Sequence, residues 1–437
     1  MQTLSKKQFF IIAFMLFSMF FGVGNFIFPP VVGREAGENF YLAIMFFCLT
    51  AVTLPVLVVG AVAQAGGLVE LTRRVDVGFS LVFMTLNYLA IGPMLGIPRA
   101  GNMPFEISVV PFLGEGNHAV EQAIYSAAYF ALNYYMCLNP SRLTTALGKY
   151  LTPALLSLIL LLFVVGFFVL PSNFSTPRGG YIDSPSSTAF IAGYQTMDAL
   201  AALAFGVLVT KALKSNGISG RGLMVATIKA GIFAGAVLAS IYFMLSYMGA
   251  ITASSIDESS QNAQFLSDIS NLVFGSAGRV VLGGISFLAC LTTTTGLIGS
   301  VSAYFESILP KIGYKKWVLM WTVLSFAVAN IGLNEILKIS IPILIALYPV
   351  AIVLILLSLI NSFIDGSKLV YRSCVYLTAA IGVINALDYA GLGLGFITEI
   401  VKSLPFYEQM LGWVVPAALC FVLTYMLHYT LAKNTQV

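Results

Sequence analysis

Apolar residues fall along this chain in runs of membrane length. A helix needs about 20 consecutive apolar residues to cross the hydrocarbon core of a bilayer, and on that measure the pattern predicts twelve spans. They cover approximately 8 to 32, 39 to 62, 77 to 103, 120 to 138, 151 to 170, 188 to 210, 222 to 248, 280 to 305, 316 to 333, 336 to 360, 370 to 390 and 410 to 431. Asn133 sits inside the fourth run, and Asn334-Glu335 mark the junction of the ninth and tenth. The longest connections, Pro171 to Ser187 and Ile251 to Gly278, are rich in Ser, Gly and Asn and hold no evident separate domain. The whole chain, 1–437, reads as one integral membrane domain.

Two of the runs are interrupted by polar and small residues. The first contains Gly22-Val23-Gly24-Asn25-Phe26-Ile27-Phe28-Pro29-Pro30, and the sixth contains Gly193-Tyr194-Gln195-Thr196-Met197-Asp198. Backbone groups freed inside hydrocarbon cost several kcal/mol, so non-helical backbone is tolerated only where it is buried in protein or lines a polar cavity. Segments 1 and 6 run in opposite directions. A duplication of five spans (8–170 and 188–360, with 370–431 as two additional helices) would place both interruptions at corresponding positions of an inverted repeat, with a ligand between them. No residue-level identity between the halves supports this, so the repeat rests on positions alone.

Composition and charge fit the same class. Of 437 residues, 59% are hydrophobic and 9% charged, against roughly 45–50% and 25% in soluble domains. With the N-terminus inside, the predicted cytoplasmic side receives fifteen Lys and Arg and the outer side five, Arg34, Arg178, Arg279, Lys338 and Lys402. Lys and Arg accumulate on the cytoplasmic side of membrane proteins, so both termini are expected in the cytoplasm. Only Arg99 and Lys229 remain within spans. Nucleic acid is not an expected partner. Five scattered cysteines without CxxC spacing and two histidines offer little to metal, redox or hydrolytic chemistry, so no enzyme is expected and no cofactor.

The interruption in segment 1 is suited to ligands of either sign. The helix that starts there presents unpaired N–H groups and a partial positive charge, while the helix that ends there presents unpaired carbonyls. The glycines are expected to allow unusual φ values and close approach of a ligand. A carboxylate fits the amides of Val23, Gly24 and Asn25, and a sodium ion fits carbonyls near Ser18 and Phe21. The plainer reading is a Gly/Pro kink that serves packing.

Segment 8 supplies Ala289-Cys290-Leu291-Thr292-Thr293-Thr294-Thr295. Hydroxyl oxygens suit hard cations, and Thr292 and Thr293 are adjacent and could flank one ion, whereas Thr294 and Thr295 are expected to bond back to their own helix. Asp198 is the acidic residue set deep in a span. A charge there costs about 2.5–3.5 kcal/mol and should face a cavity or a partner. It could be a counter-ion for a substrate ammonium, a cation ligand, a proton carrier, or a structural partner of Arg99 or Lys229. Arg99, beside Pro93 and Pro98, reads as a structural or gating residue paired with Glu106 or Asp198.

Taken together, Phe21-Gly-Val-Gly-Asn25-Phe-Ile-Phe-Pro29-Pro30, Ile91-Gly-Pro93 with Ile97-Pro98-Arg99, Gly193-Tyr194-Gln195-Thr196-Met197-Asp198 and Ala289-Cys290-Leu291-Thr292-Thr293 resemble the bacterial branched-chain amino acid:cation symporters of the BrnQ type. That family lies within the amino acid–polyamine–organocation superfamily. The resemblance implies an all-α polytopic protein with the leucine-transporter fold, a 5+5 inverted repeat with broken helices 1 and 6. It implies uptake of leucine, isoleucine and valine across the bacterial cytoplasmic membrane, driven by sodium or protons, by one chain acting as a monomer among lipids. Substrate is then expected on Gly22, Val23, Gly24, Asn25, Tyr194, Thr196 and Asp198. Sodium, if used, is expected on Ser18, Phe21, Ala289, Thr292 and Thr293, in keeping with the Ala-x-x-Thr-Ser pattern of related carriers. Phe20 stands where those carriers have a sodium-ligating alanine, which argues for one ion rather than two. An exchanger, or a carrier of other neutral apolar amino acids such as methionine, is the nearest alternative.

Overall fold

The computed structural model describes residues 5–113, 116–170, 173–257 and 262–434. The side chains of Val23, Arg142, Asn334 and Lys433 lie outside the described part. A chain this apolar must satisfy its backbone within each segment, and the described residues form helices and turns without strands. The principal helices of the first part are α1 (Lys6–Phe20), α2 (Val23–Ala36), α3 (Phe40–Cys48), α4 (Leu54–Ala65), α5 (Val77–Leu89), α6 (Gly96–Ser108), α7 (Ala119–Cys137) and α8 (Thr152–Val169). Those that follow are α9 (Pro185–Tyr194), α10 (Asp198–Ser215), α11 (Gly220–Thr252), α12 (Gly278–Ile308), α13 (Tyr314–Ala329), α14 (Leu333–Leu359), α15 (Lys368–Tyr389) and α16 (Val414–Asn434). Among the described residues seven helical stretches are long and apolar enough to cross a membrane, and an eighth if the bent helix pair within Pro185–Ser215 is one span.

Three predicted segments are divided. Between α1 and α2, Phe21 (φ −74°, ψ 82°) and Gly22 (φ −100°, ψ −167°) leave the helix. Gly22 is therefore extended, a conformation open to any residue, and its missing side chain matters for another reason. A Cβ there would lie 3.0 Å from the Thr293 hydroxyl oxygen, so glycine lets α12 approach the interruption. Between α9 and α10, Met197 takes the left-handed conformation (φ 64°), and Asp198 becomes the first residue of α10. Between α5 and α6, Gly92 (φ −89°, ψ −124°) and Pro93 interrupt the helix, and α6 restarts one turn ahead of Arg99.

One helix seam fixes where the first interruption sits. α2 lies against α11 so closely that a Cβ on Gly33 would fall 1.8 Å from the Ser246 carbonyl oxygen, and one on Gly249 would fall 2.0 Å from the Pro30 carbonyl oxygen. The Ser246 hydroxyl donates to the Pro29 carbonyl at 2.7 Å. Small residues that let backbones touch are how helices associate in lipid, where the hydrophobic effect between them is lost. Tyr242, Ser246 and Gly249 follow one another at helical spacing, so the contact that seats α2 also presents the Tyr242 phenol to its first turn.

The connection between α11 and α12 holds an element that its low hydropathy conceals. Asn262–Phe274 is helical and buries Phe265, Leu266 and Ile269, with the Arg34 guanidinium 4.7 Å from the Phe265 ring centroid. Asp76 caps α5 by accepting from the Phe79 amide at 2.8 Å and from the Tyr376 hydroxyl at 2.6 Å. The Tyr376 hydroxyl and then the Phe79 amide hold its carboxyl below the usual carboxylate range, which ties α15 to the start of α5. The five cysteines are free thiols.

Candidate functional site

α1, α2, α6, α10 and α12 converge on one cavity of about 40 Å³ whose lining includes Gly22, Gly24, Asn25, Arg99, Asp198 and Thr293. A cavity needs roughly 10–15 Å³ on this measure to hold one water, and drug-sized ligands occupy pockets of about 300–1,000 Å³. The space therefore suits a few waters as it stands, and the surrounding helices must separate for a larger ligand to enter.

Asn25 organises this wall. Its side-chain oxygen accepts from the Gly22 amide at 3.2 Å, which leaves its side-chain nitrogen to donate to the Asp198 carboxylate and to the Tyr242 hydroxyl. Tyr242 in turn donates to the same carboxylate oxygen at 3.0 Å. Asn25 and Asp198 are each 2% exposed and Tyr242 is fully buried. Buried polar groups of this kind are stable only as a closed network, and here the network bridges both helix interruptions and the α2–α11 seam. Asp198 also stands in the first turn of α10, where the helix dipole favours a negative charge.

The opposite wall carries oxygen atoms from α1 and α12. The Thr293 hydroxyl lies 3.2 Å from the Met19 carbonyl oxygen and 3.5 Å from that of Ser18. Thr292 does not join it, because neighbouring residues on a helix do not face the same way; its hydroxyl donates to the Ala289 carbonyl at 2.9 Å on its own helix. Thr295 bonds back to Leu291 at 2.7 Å. Thr294 bonds back to Cys290 and also reaches Asn133 at 2.7 Å and Tyr129 at 2.9 Å. Among the described residues no group of three or more His, Cys, Asp and Glu could hold a metal ion, so any cation bound here would rely on carbonyl and hydroxyl oxygens.

Of the residues singled out by sequence, Gly22, Gly24, Asn25, Thr196, Asp198 and Thr293 share the cavity, and Ser18 adds a carbonyl beside it. The Thr196 hydroxyl donates to the Gly193 carbonyl at 2.9 Å and stands beside the Asp198 carboxyl. Tyr194 lies elsewhere, its ring 5.1 Å from that of Tyr348. Phe21 is buried against Phe17 at 5.6 Å, and Ala289 is buried in α12. Val23 enters through its backbone at the start of α2. Phe20 lines the cavity. Sequence reasoning passed over Tyr242, which no local pattern distinguishes, and treated Arg99 as structural although an in-span arginine was itself a sign of a cavity.

Gly24 gives a direct prediction. A Cβ at this position would lie 3.3 Å from the Phe28 ring and 3.4 Å from both the Arg99 guanidinium and the Thr196 Cα, so the branched side chain of Gly24→Val would occupy the cavity. If the cavity takes the amino acid that the sequence resemblance implies, uptake should fall to background in Gly24→Val, about 100-fold or more given the roughly 1–3 kcal/mol of overpacking added to direct occlusion. Normalising uptake to membrane-inserted protein checks this, and near-normal uptake would remove Gly24 from the site.

Comparison with known proteins places this geometry in context. A family model described as "Branched-chain amino acid transport protein" matches residues 5–431. The chain is similar to the branched-chain amino acid permease BrnQ of Bacillus subtilis (strain 168), with 39% identity over 435 residues covering 99% of each chain. It is similar to the permease BraB of the same organism, at 38% over 440 residues, covering 99% of this chain and 98% of the relative. The branched-chain amino acid transport system 2 carrier protein of Pseudomonas aeruginosa is 36% identical over 424 residues, covering 97% and 96%. Among solved structures, the nucleobase-cation-symport-1 family transporter Mhp1, closed with bromovinylhydantoin bound, matches with TM-score 0.62 at 16% identity, covering 98% of this chain and 93% of that one. MhsT in complex with L-phenylalanine matches with TM-score 0.58 at 15% identity, covering 97% and 99%. At these identities the two structures speak to the fold alone.

Proposed function

This chain belongs to the branched-chain amino acid transport protein family, and from that premise we propose that it imports leucine, isoleucine and valine by cation symport with alternating access. Its family and named relatives are permeases and carriers, so it is a multi-pass membrane transporter and not an enzyme. On our reading it has twelve spans with both termini in the cytoplasm, acts as a single chain in the bacterial cytoplasmic membrane, and pairs segments 1–5 with 6–10 as inverted repeats. Segments 1 and 6 are then broken helices at the centre of the membrane. The division of each into two helices at 21–22 and 195–197 supports this.

The observation that carries the reading is the meeting of both interruptions at one cavity, with Asp198 on its wall and the first turn of α2 beside it. An amino acid is a zwitterion. Its carboxylate is complemented by the amides of Val23, Gly24 and Asn25 at the positive end of α2, and its ammonium by Asp198. Side-chain selectivity rests on the apolar lining, including Phe20, Ile91 and Met197. One methylene in such a pocket is worth only about 1–3 kcal/mol, so leucine, isoleucine and valine should overlap, with methionine a weaker substrate.

Sodium is the co-transported cation in our reading, held by the Ser18 and Met19 carbonyls and the Thr293 hydroxyl, so that it bridges α1 to α12. Each positive charge moved inward gains about 2.3 kcal/mol per 100 mV of membrane potential, enough for substantial accumulation with one ion per substrate. Thr293→Ala should raise the sodium concentration for half-maximal uptake roughly tenfold, the effect of losing one oxygen ligand worth about 1.4 kcal/mol, while leucine uptake at saturating sodium changes little. An unchanged sodium dependence in well-expressed Thr293→Ala would take this residue out of the ion site.

Leucine uptake into proteoliposomes under separately imposed sodium and proton gradients tests the proposal as a whole. We expect saturable uptake that follows the inward sodium gradient. Uptake that requires amino acid preloaded on the far side would establish an exchanger instead, and non-saturating flux would contradict a carrier.

A further inference from the structure

Arg99 is a positive charge with no role in the site as described so far. It stands on the first turn of α6, just after the interruption at Gly92 and Pro93, and it lines the same cavity as Gly24 and Asp198. Its guanidinium would lie 3.4 Å from a Cβ on Gly24, so it sits beside the first turn of α2. Among the described residues no hydrogen bond or ion pair engages the guanidinium. Asp198 is within electrostatic reach of it, yet the two do not form an ion pair, and the Asn25 and Tyr242 bonds both fall on one oxygen of the Asp198 carboxylate. A guanidinium kept this deep in a membrane protein without a bonded partner is costly.

We propose that Arg99 is a binding and specificity residue, its guanidinium receiving the substrate carboxylate from the side of α6 while the α2 amides receive it from the other. The inference rests on the amino acid site proposed above and adds to it a second, fully charged half. A planar guanidinium presents paired donors that match the two oxygens of a carboxylate. Backbone amides, by contrast, tolerate any acceptor, including the neutral carbonyl of an amide. Arg99 is thus the group that makes the site demand a free carboxylate. Arg99 and Asp198 thus offer the cavity one cationic group and one carboxyl group, matching the two ends of an amino acid.

Leucinamide is the probe that separates this role from a structural one, since it keeps the ammonium and the side chain and lacks the carboxylate charge. We would measure binding of leucine and leucinamide to the purified full-length protein in nanodiscs, for the wild type, Arg99→Gln and Arg99→Lys. The wild type should prefer leucine. Arg99→Gln should weaken leucine binding by about 10–100-fold, the range for one lost charge-assisted hydrogen-bonded contact, and leave leucinamide within about threefold of wild type, so that the preference collapses. Arg99→Lys retains the charge without the paired donors and serves if Arg99→Gln does not fold; its leucine preference should fall but persist. Equal weakening of both ligands in Arg99→Gln, or a leucine preference untouched in either variant, would overturn the assignment. Wild-type protein that binds no leucine would overturn the site itself, a result distinct from either.

Discussion

Asp198→Ala should abolish leucine uptake. The substitution removes the proposed partner of the substrate ammonium. It also strands two buried donors, the Asn25 side-chain nitrogen and the Tyr242 hydroxyl, which both point at this carboxylate. An unsatisfied buried donor costs about 1–3 kcal/mol, and breaking a buried charge interaction by removing one partner costs about 3–5 kcal/mol. A loss of at least 100-fold in uptake follows, from affinity and from the ordering of α2 together. Asp198→Asn separates the two contributions. Its side-chain oxygen can still accept from Asn25 or Tyr242, so the protein should insert and purify like wild type while leucine affinity falls with the missing charge. The same variant asks whether this carboxyl carries a proton. If uptake in Asp198→Asn survives with an unchanged response to an imposed proton gradient, Asp198 is not the coupling group, which is the result expected for a sodium-driven carrier. Initial rates in proteoliposomes, normalised to reconstituted protein, provide the check.

The second large effect falls on folding. Gly33→Ala would place a methyl carbon 1.8 Å from the Ser246 carbonyl oxygen, and Gly249→Ala would place one 2.0 Å from the Pro30 carbonyl oxygen. Backbone atoms cannot swing aside as side-chain ends can, so α2 and α11 must separate along the seam. Overpacking ordinarily costs about 1–3 kcal/mol and sometimes more, and here it also breaks the Ser246 to Pro29 hydrogen bond. Either substitution should lower the yield of monodisperse protein severalfold and reduce its thermal stability. Gly60→Ala is the matched control, because a Cβ there meets nothing within 4 Å, and it should behave as wild type. Normal yield and stability of Gly33→Ala would show that the seam is looser than described. The seam matters for function too, since Asn25 and Tyr242 lie along it.

Much of this was legible in the sequence. The first interruption is written in two glycines, an asparagine and a proline pair inside one apolar run, and both its location and its part in a cavity could be read there. The reason offered for its glycines was only half right. Gly22 is needed for the approach of Thr293 rather than for an unusual φ, and the residue that does take a positive φ, Met197, has no composition that announces it. The threonine run was readable as a candidate ion site; of its first two members, Thr293 turns toward the Met19 carbonyl while Thr292 bonds to Ala289 on its own helix, one helix position and about 100° away. The helix Asn262–Phe274 was hidden because Phe265, Leu266, Ile269 and Val273 form a narrow stripe among polar residues, too sparse for a reading tuned to membrane-length runs. Tyr242 was the least accessible. It joins Asn25 across 217 positions of sequence, and only packing of α11 on α2 brings the two together.

The most direct measurement is an experimental structure of the protein in a lipid nanodisc with leucine and sodium bound. We expect leucine between the first turn of α2 and Asp198, its carboxylate at the Gly24 and Asn25 amides and its ammonium at the Asp198 carboxylate, with the helices around the cavity drawn apart to admit it. Leucine resolved away from this cavity, with Asp198 and the first turn of α2 untouched, would contradict the site and the transport mechanism built on it.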